Sequence, residues 1–169
     1  RLDGVRAGPH RRRMSRTTRA TLALDKAGVA YGLHAYDYDA DAQSIGLHAA
    51  QALGISPERM LKTLMVLVDG KPACVVTPSD REVSMKKVAA AFGGKSAQMM
   101  KPADAERITG YHVGGISPLG QKRPVRTVVE ASAEAHGTVF LNAGQRGLQV
   151  EMSPKDLVLA TAAAFAPLA

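Results

Sequence analysis

A chain of 169 residues with 46% hydrophobic content, and no apolar run near the roughly 18 residues of a membrane span, reads as one globular domain with room for a single real core. Its one cysteine, Cys74, excludes an internal disulfide framework and suits a reducing cytoplasm. Aromatics at 4% and no Trp leave the core to Leu, Val, Ala and Met. The net charge of +7 is uneven: residues 1–13 hold five arginines against Asp3, leaving a mildly basic body compatible with RNA.

The first 13 residues show no apolar periodicity and precede a Met-Ser that reads like a natural start. An artificial extension or upstream read-through fits that lack of pattern better than a basic nucleic-acid arm. Residues 1–13 are therefore expected to be a disordered or non-native tail, and 14–169 the single domain.

Thr17 to Ala27 reads as a helix stopped by Gly28, and Tyr31 to Tyr38 alternates as a strand. Ser44 caps a second helix that ends at Gly54. Met60 to Val68 is the strongest strand signal, turning at Asp69-Gly70, a type I′ dipeptide, and returning over Pro72 to Thr77. A helix over Ser84 to Phe92, a short strand over Ser96 to Met99 and a helix opening at Pro102 follow. Gly110 to Gly120 holds four glycines and a proline, which no helix or central strand sustains; it is a loop. Strands over Val125 to Val129, Thr138 to Asn142 and Leu148 to Met152 precede a C-terminal helix capped by Ser153. Without a regular βαβ rhythm, this is an α+β fold. A mixed, largely antiparallel sheet is expected, curled into a barrel-like core with surrounding helices.

Few residues offer chemistry. Lys62 is the one charge in a strand whose two faces are both apolar, so it has either a task or a snorkelling position at the strand end. The five histidines (His10, His34, His48, His112 and His136) are scattered with no i, i+4 pair, so no metal site or cofactor is expected. Ser117 lies outside any Gly-x-Ser-x-Gly, and Cys74 sits in an inert strand. The glycine loop either brings backbone N–H groups to a ligand or merely connects two elements. Arg146 either meets phosphate or belongs to a plain hairpin, and Tyr36 reads by default as a core tyrosine.

Taken in order, Leu61-Lys62-Thr63-Leu64, Val76-Thr77-Pro78, Met85 to Ala89, Thr109 to Lys122 and Gly144-Gln-Arg-Gly147 resemble the YbaK/EbsC family of aminoacyl-tRNA deacylases. The branch that the chain is most similar to is the free-standing Cys-tRNA(Pro) deacylases, related to the editing insertion of prolyl-tRNA synthetases. The resemblance spans Met14 to Phe165 and implies the barrel-like fold just described. It also implies trans-editing hydrolysis of mischarged Cys-tRNA(Pro) in the cytoplasm, with tRNA and prolyl-tRNA synthetase as partners and no membrane or metal. Lys62 falls on the family's essential lysine, and Gly114 to Pro118 on its Gly-x-x-x-Pro loop. The resemblance implies Lys62 and Gly115 as catalytic, with Gly115 N–H supporting oxyanion charge. Tyr36, Gly114, Ile116, Ser117, Pro118, Gly144, Arg146 and Gln149 would bind substrate. The substrate's own thiol would attack the ester. One departure stands out: Gln149 replaces an Asp frequent in close members, and Glu151, two residues on, is expected on the same side as its substitute. A deacylase for another small amino acid such as alanine, or a non-catalytic tRNA- or synthetase-binding module, are the alternatives.

Overall fold

The computed structural model describes residues 17–42 and 44–169; the expected tail at residues 1–13 and the expected domain start at Met14 lie outside them. The described elements run α1 (Arg19–Ala27), β1 (Gly32–Ala35), α2 (Ile45–Leu53), β2 (Leu61–Val68), β3 (Lys71–Pro78), α3 (Met85–Ala91) and β4 (Ala97–Met99). They continue as α4 (Pro102–Thr109), β5 (Arg126–Glu130), β6 (Val139–Gln145), β7 (Leu148–Met152), α5 (Pro154–Thr161) and β8 (Ala164–Ala166). Hydroxyl side chains start four helices: Thr18, Ser44, Ser84 and Ser153 each accept a backbone N–H of the first turn. Such caps contribute about 1 kcal/mol apiece. The β2–β3 hairpin turns at Asp69 (φ 49°) and Gly70 (φ 81°), the paired positive values of the expected type I′ turn.

The strands form two sheets, β1-β7-β6 and β4-β2-β3-β5-β8. Four of the pairings are antiparallel; β3–β5 and β5–β8 are parallel. The expected α+β class with a mixed sheet is present, but the expected barrel is not, because neither sheet closes. The physical reason lies at the start of β2. A single bridge, Met60 to Phe140, is the contact that would have joined the sheets, and beyond it β2 pairs with β3 and β4 while β6 pairs with β7.

Three apolar layers follow from this. Leu61 and Met65 on one face of β2 pack with Leu141, Leu148, Val150 and Leu157 between the sheets, and Leu67 packs against that cluster. Val66 and Val68 on the other face pack with Val75, Val88, Phe92 and Leu168 under α3, with Leu64 against them. The period-2 split read from the sequence therefore holds along β2. A smaller cluster, Tyr36, Ala49, Ala50, Met60 and Phe140, fixes α2 on the outer face of the three-stranded sheet. Truncating any fully buried leucine here costs about 2–5 kcal/mol.

Candidate active site

Where the sheets part, just past the Met60–Phe140 bridge, they leave a cavity of about 170 Å³. Lys62 and Thr63 of β2 form one wall, Asn142 of β6 and Gln149 of β7 another. The start of α2 (Ile45 and Gly46) and the loop residues Val113, Gly114 and Ile116 complete it. Gly46 is what admits α2 so closely: a Cβ there would meet the Ser79 Cβ at 2.9 Å.

The glycine loop is held against the turn between β6 and β7. Asn142 Nδ2 donates to the Gly114 carbonyl at 3.0 Å, while its Oδ1 accepts from Gly144 N at 2.7 Å and Gln145 N at 3.2 Å. The pairing register slips between Asn142 and Gln145, so β6 continues through a bulge where the sequence reads as a plain loop. Gly147 has φ 80°, as expected for that turn. Gly114 has φ 91°, and a Cβ there would meet the Tyr38 hydroxyl and, at 3.3 Å, Arg146 Nε. Only glycine suits that position.

The walls carry polar atoms without partners. Thr63 Oγ1 and Gln149 Oε1 are buried and unbonded. Tyr36 OH, beside Gln149 but outside hydrogen-bond geometry, is likewise buried and unpaired. Burial pushes the Tyr36 hydroxyl above its ordinary value, and Gln149 offsets this only in part, so the phenol stays protonated at neutral pH. Thr63 and Gln149 thus bring polar side chains to the cavity lining, and Tyr36 stands beside Gln149 outside that lining. Lys62 is half-buried at the wall, and its ammonium bonds to no side chain or backbone group among the described residues.

The structure gathers Lys62, Gly114, Ile116 and Gln149 around this cavity, with Tyr36 beside Gln149 and Arg146 bonded to the carbonyl of the lining residue Val113. It does not bring the others to it. Gly115 is buried against the Gln145–Arg146 backbone, and its N–H donates to the His112 carbonyl at 2.8 Å. The expected Gly115 oxyanion donor is therefore already bonded within its own turn. Ser117 and Pro118 are buried behind the loop, where Ser117 Oγ accepts from Leu119 N, and Gly144 packs on the Tyr111 ring. Glu151 shares a face with Gln149 but is taken: His34 Nε2 lies 2.9 Å away, Thr138 Oγ1 donates at 2.6 Å, and Arg59 is 3.7 Å off. It does not replace the missing Asp. Among the described residues no group of three or more His, Cys, Asp or Glu is placed to hold a metal ion, and no helix is long and apolar enough to cross a membrane.

The profile of the aminoacyl-tRNA editing domain matches residues 40–159, the stretch that builds the cavity. The chain belongs to the aminoacyl-tRNA editing domain family. Editing domains of this family are deacylases, and the coarse activity of the chain is accordingly deacylation of aminoacyl-tRNA. It is 32% identical over 163 residues to EbsC of Enterococcus faecalis, covering 94% of this chain and 96% of that one; EbsC carries the provisional description Cys-tRNA(Pro)/Cys-tRNA(Cys) deacylase. A proline–tRNA ligase of Geobacillus kaustophilus is 28% identical over 98 residues, which is 58% of this chain and 17% of the ligase. A crystal structure of a protein provisionally described as a trans-editing enzyme for prolyl-tRNA synthetase shares the fold, with TM-score 0.77, 21% identity and coverage of 89% of this chain and 94% of that one.

Within the editing domain, three contributors escaped sequence reasoning: Thr63, Asn142 and Tyr38. An Asn followed by Ala-Gly is a recognisable Asx-turn signal. Thr63 and Tyr38 carry no local signal, since their roles arise only where separate strands converge.

Proposed function

We propose that this editing domain removes cysteine from tRNA(Pro), with Lys62 orienting the aminoacyl ester and the substrate's own thiol as nucleophile. The observation that carries the reading is the Lys62 ammonium, unpartnered among the described residues, in the wall of a cavity of about 170 Å³ that Thr63 and Gln149 also line. That volume is below the ~300 Å³ at which pockets for larger ligands begin, so it suits a small aminoacyl group and not a nucleotide. The polar side chains of its lining, Lys62, Thr63, Asn142 and Gln149, suit an occupant with an α-amine and an ester.

In the step proposed, the cysteinyl sulfur attacks its own ester carbonyl. A C–S bond forms, the bond from the carbonyl carbon to the ribose oxygen breaks, and that oxygen takes up the proton the thiol gives away. The products are a cyclic thioester and free tRNA. Holding thiol and ester together supplies the proximity. Lys62 would donate to the ester or the terminal ribose. The N–H groups of Gly114 and Ile116, which line the cavity and donate to nothing among the described residues, would face the developing oxyanion in place of Gly115. Such a protein acts beside prolyl-tRNA synthetase in the cytoplasm, a reading supported by the matching stretch inside proline–tRNA ligases.

Gln149 favours a second reading. A neutral amide holds the α-amine without an ion pair, and an editor of alanine using water as nucleophile would fit the same cavity. Single-turnover deacylation of tRNA(Pro) charged separately with cysteine, alanine and proline separates the two. Loss of cysteine alone supports thiol assistance, and equal loss of alanine refutes it. No hydrolysis of any of the three would leave a binding module.

A further inference from the structure

We propose that Tyr38 and Arg146 form a phosphate subsite at the mouth of the cavity, which holds a phosphodiester at the 3′ end of the RNA. The inference rests on the editing reading for its ligand, but its geometry stands apart from Lys62.

Arg146 is presented by the β6–β7 turn and is exposed. Two contacts fix it. Its guanidinium carbon stands 5.5 Å from the centroid of the Tyr38 ring, and its Nε donates to the Val113 carbonyl at 2.9 Å. Both terminal nitrogens are left without a partner among the described residues. Asp37 and Asp39 flank Tyr38 in the chain and are exposed, yet no carboxylate among the described residues lies within 4.0 Å of Arg146. The pair is seated on the backbone that lines the cavity, since the missing Cβ of Gly114 leaves the space that the Tyr38 hydroxyl and Arg146 Nε occupy.

A guanidinium anchored through Nε and stacked on an aromatic ring keeps a planar fork of donors that matches two oxygens of a phosphate. In the editing reading the cavity takes the aminoacyl group, and the terminal nucleotide then lies beside Val113 and Gly114, the lining residues that this fork contacts. Tyr38 thus acts as a positioning residue through Arg146. Arg146 offers one fork of donors, so it is expected to meet a single phosphate. One contact to a single strand corresponds to a salt slope of about 0.7 in log Kd against log salt.

The test is binding of the trinucleotide CpCpA and of adenosine, which lacks a phosphate, to the whole protein and its variants. Arg146→Ala and Tyr38→Ala are expected to weaken CpCpA about tenfold and to lower the salt slope by about 0.7, with adenosine changed less than about twofold. Tyr38→Phe should keep the affinity of the wild type, and Arg146→Lys should not, because a point charge lacks the fork. Equal losses for both ligands, an unmoved CpCpA affinity in Arg146→Ala, or no preference of the wild type for CpCpA over adenosine would each overturn the subsite. Deacylation measured in parallel keeps the two readings apart. A wild type that hydrolyses no aminoacyl-tRNA, yet binds CpCpA through Arg146, removes the editing substrate and keeps the subsite. Intact hydrolysis with no dependence of CpCpA on Arg146 does the reverse.

Discussion

Gln149 shows how function and stability compete at a single side chain. It is 4% exposed, its Oε1 is unbonded, and Tyr36 OH beside it is unbonded too. Replacing a buried unsatisfied amide by an apolar group of similar shape is neutral or stabilising. Gln149→Leu is therefore expected to raise the unfolding free energy by up to about 1 kcal/mol in a denaturant titration while raising KM for the charged tRNA about tenfold. A destabilised variant with unchanged KM would mean that Gln149 is part of the core and not of the site. Cys74 lies at the opposite pole: it is fully buried, and burial pushes its thiol up to about 12, weakly countered by Gln121 and Thr127. The thiol stays protonated and shielded at neutral pH. A thiol reagent should label the one cysteine only as fast as the protein unfolds. Fast labelling of the native protein would contradict its placement between the sheets.

At the scale of elements, the site depends on how closely the glycine loop approaches the β6–β7 turn. Gly114→Ala places a Cβ at φ 91°, against the Tyr38 hydroxyl and 3.3 Å from Arg146 Nε. The expected loss is about 2 kcal/mol of stability together with most of the activity, read by thermal melts and single-turnover rates. A fully active, equally stable variant would show that the loop need not sit there. The elements themselves were largely legible. Ser44 and Ser153 announced their helices, the apolar run after Met60 its strand, and Asp69-Gly70 its turn. Two features were not. Strand β8, Ala164–Ala166, follows α5 with an alanine-rich sequence that has no strand preference of its own, and it forms only because β5 offers an edge for parallel pairing. The bulge after Asn142 reads as loop because glycine punctuates it, whereas Asn142 side-chain bonds carry the strand through. The site was legible as far as Lys62 and the loop. Which N–H groups of that loop remain free was not, since the Gly115 bond to His112 is a matter of local turn geometry.

At the scale of the whole molecule, the far end of the chain is fastened to the core through Glu130. Its carboxylate accepts from Ser132 N at 2.6 Å and from Leu168 N at 3.0 Å, which holds the buried Leu168 under α3. Burial alone would raise its pKa, but the bonds from Ser132, Leu168 and Ala169 outweigh that and set it below the ordinary value. A depressed carboxyl stabilises the fold above its unfolded pKa of about 4.3, and that contribution is lost as pH falls through the lower folded value. Glu130→Gln should therefore lower the urea midpoint at pH 7 and flatten its decline below about pH 4; an unchanged acid limb would refute the role of this clamp. The expected barrel-like core was met only as far as the mixed sheets at this same scale, because closure depends on pairing between β2 and β6 that apolar alternation cannot reveal. The opening left by that missing pairing is the cavity, with Lys62 in its wall. The most direct measurement is single-turnover deacylation of Cys-tRNA(Pro) by Lys62→Ala beside the wild type, with far-ultraviolet circular dichroism and a thermal melt of each. The expected result is a rate at least about a hundredfold lower in a variant that folds like the wild type. A folded Lys62→Ala protein that clears cysteine at the rate of the wild type would contradict the assignment of this cavity as the editing site.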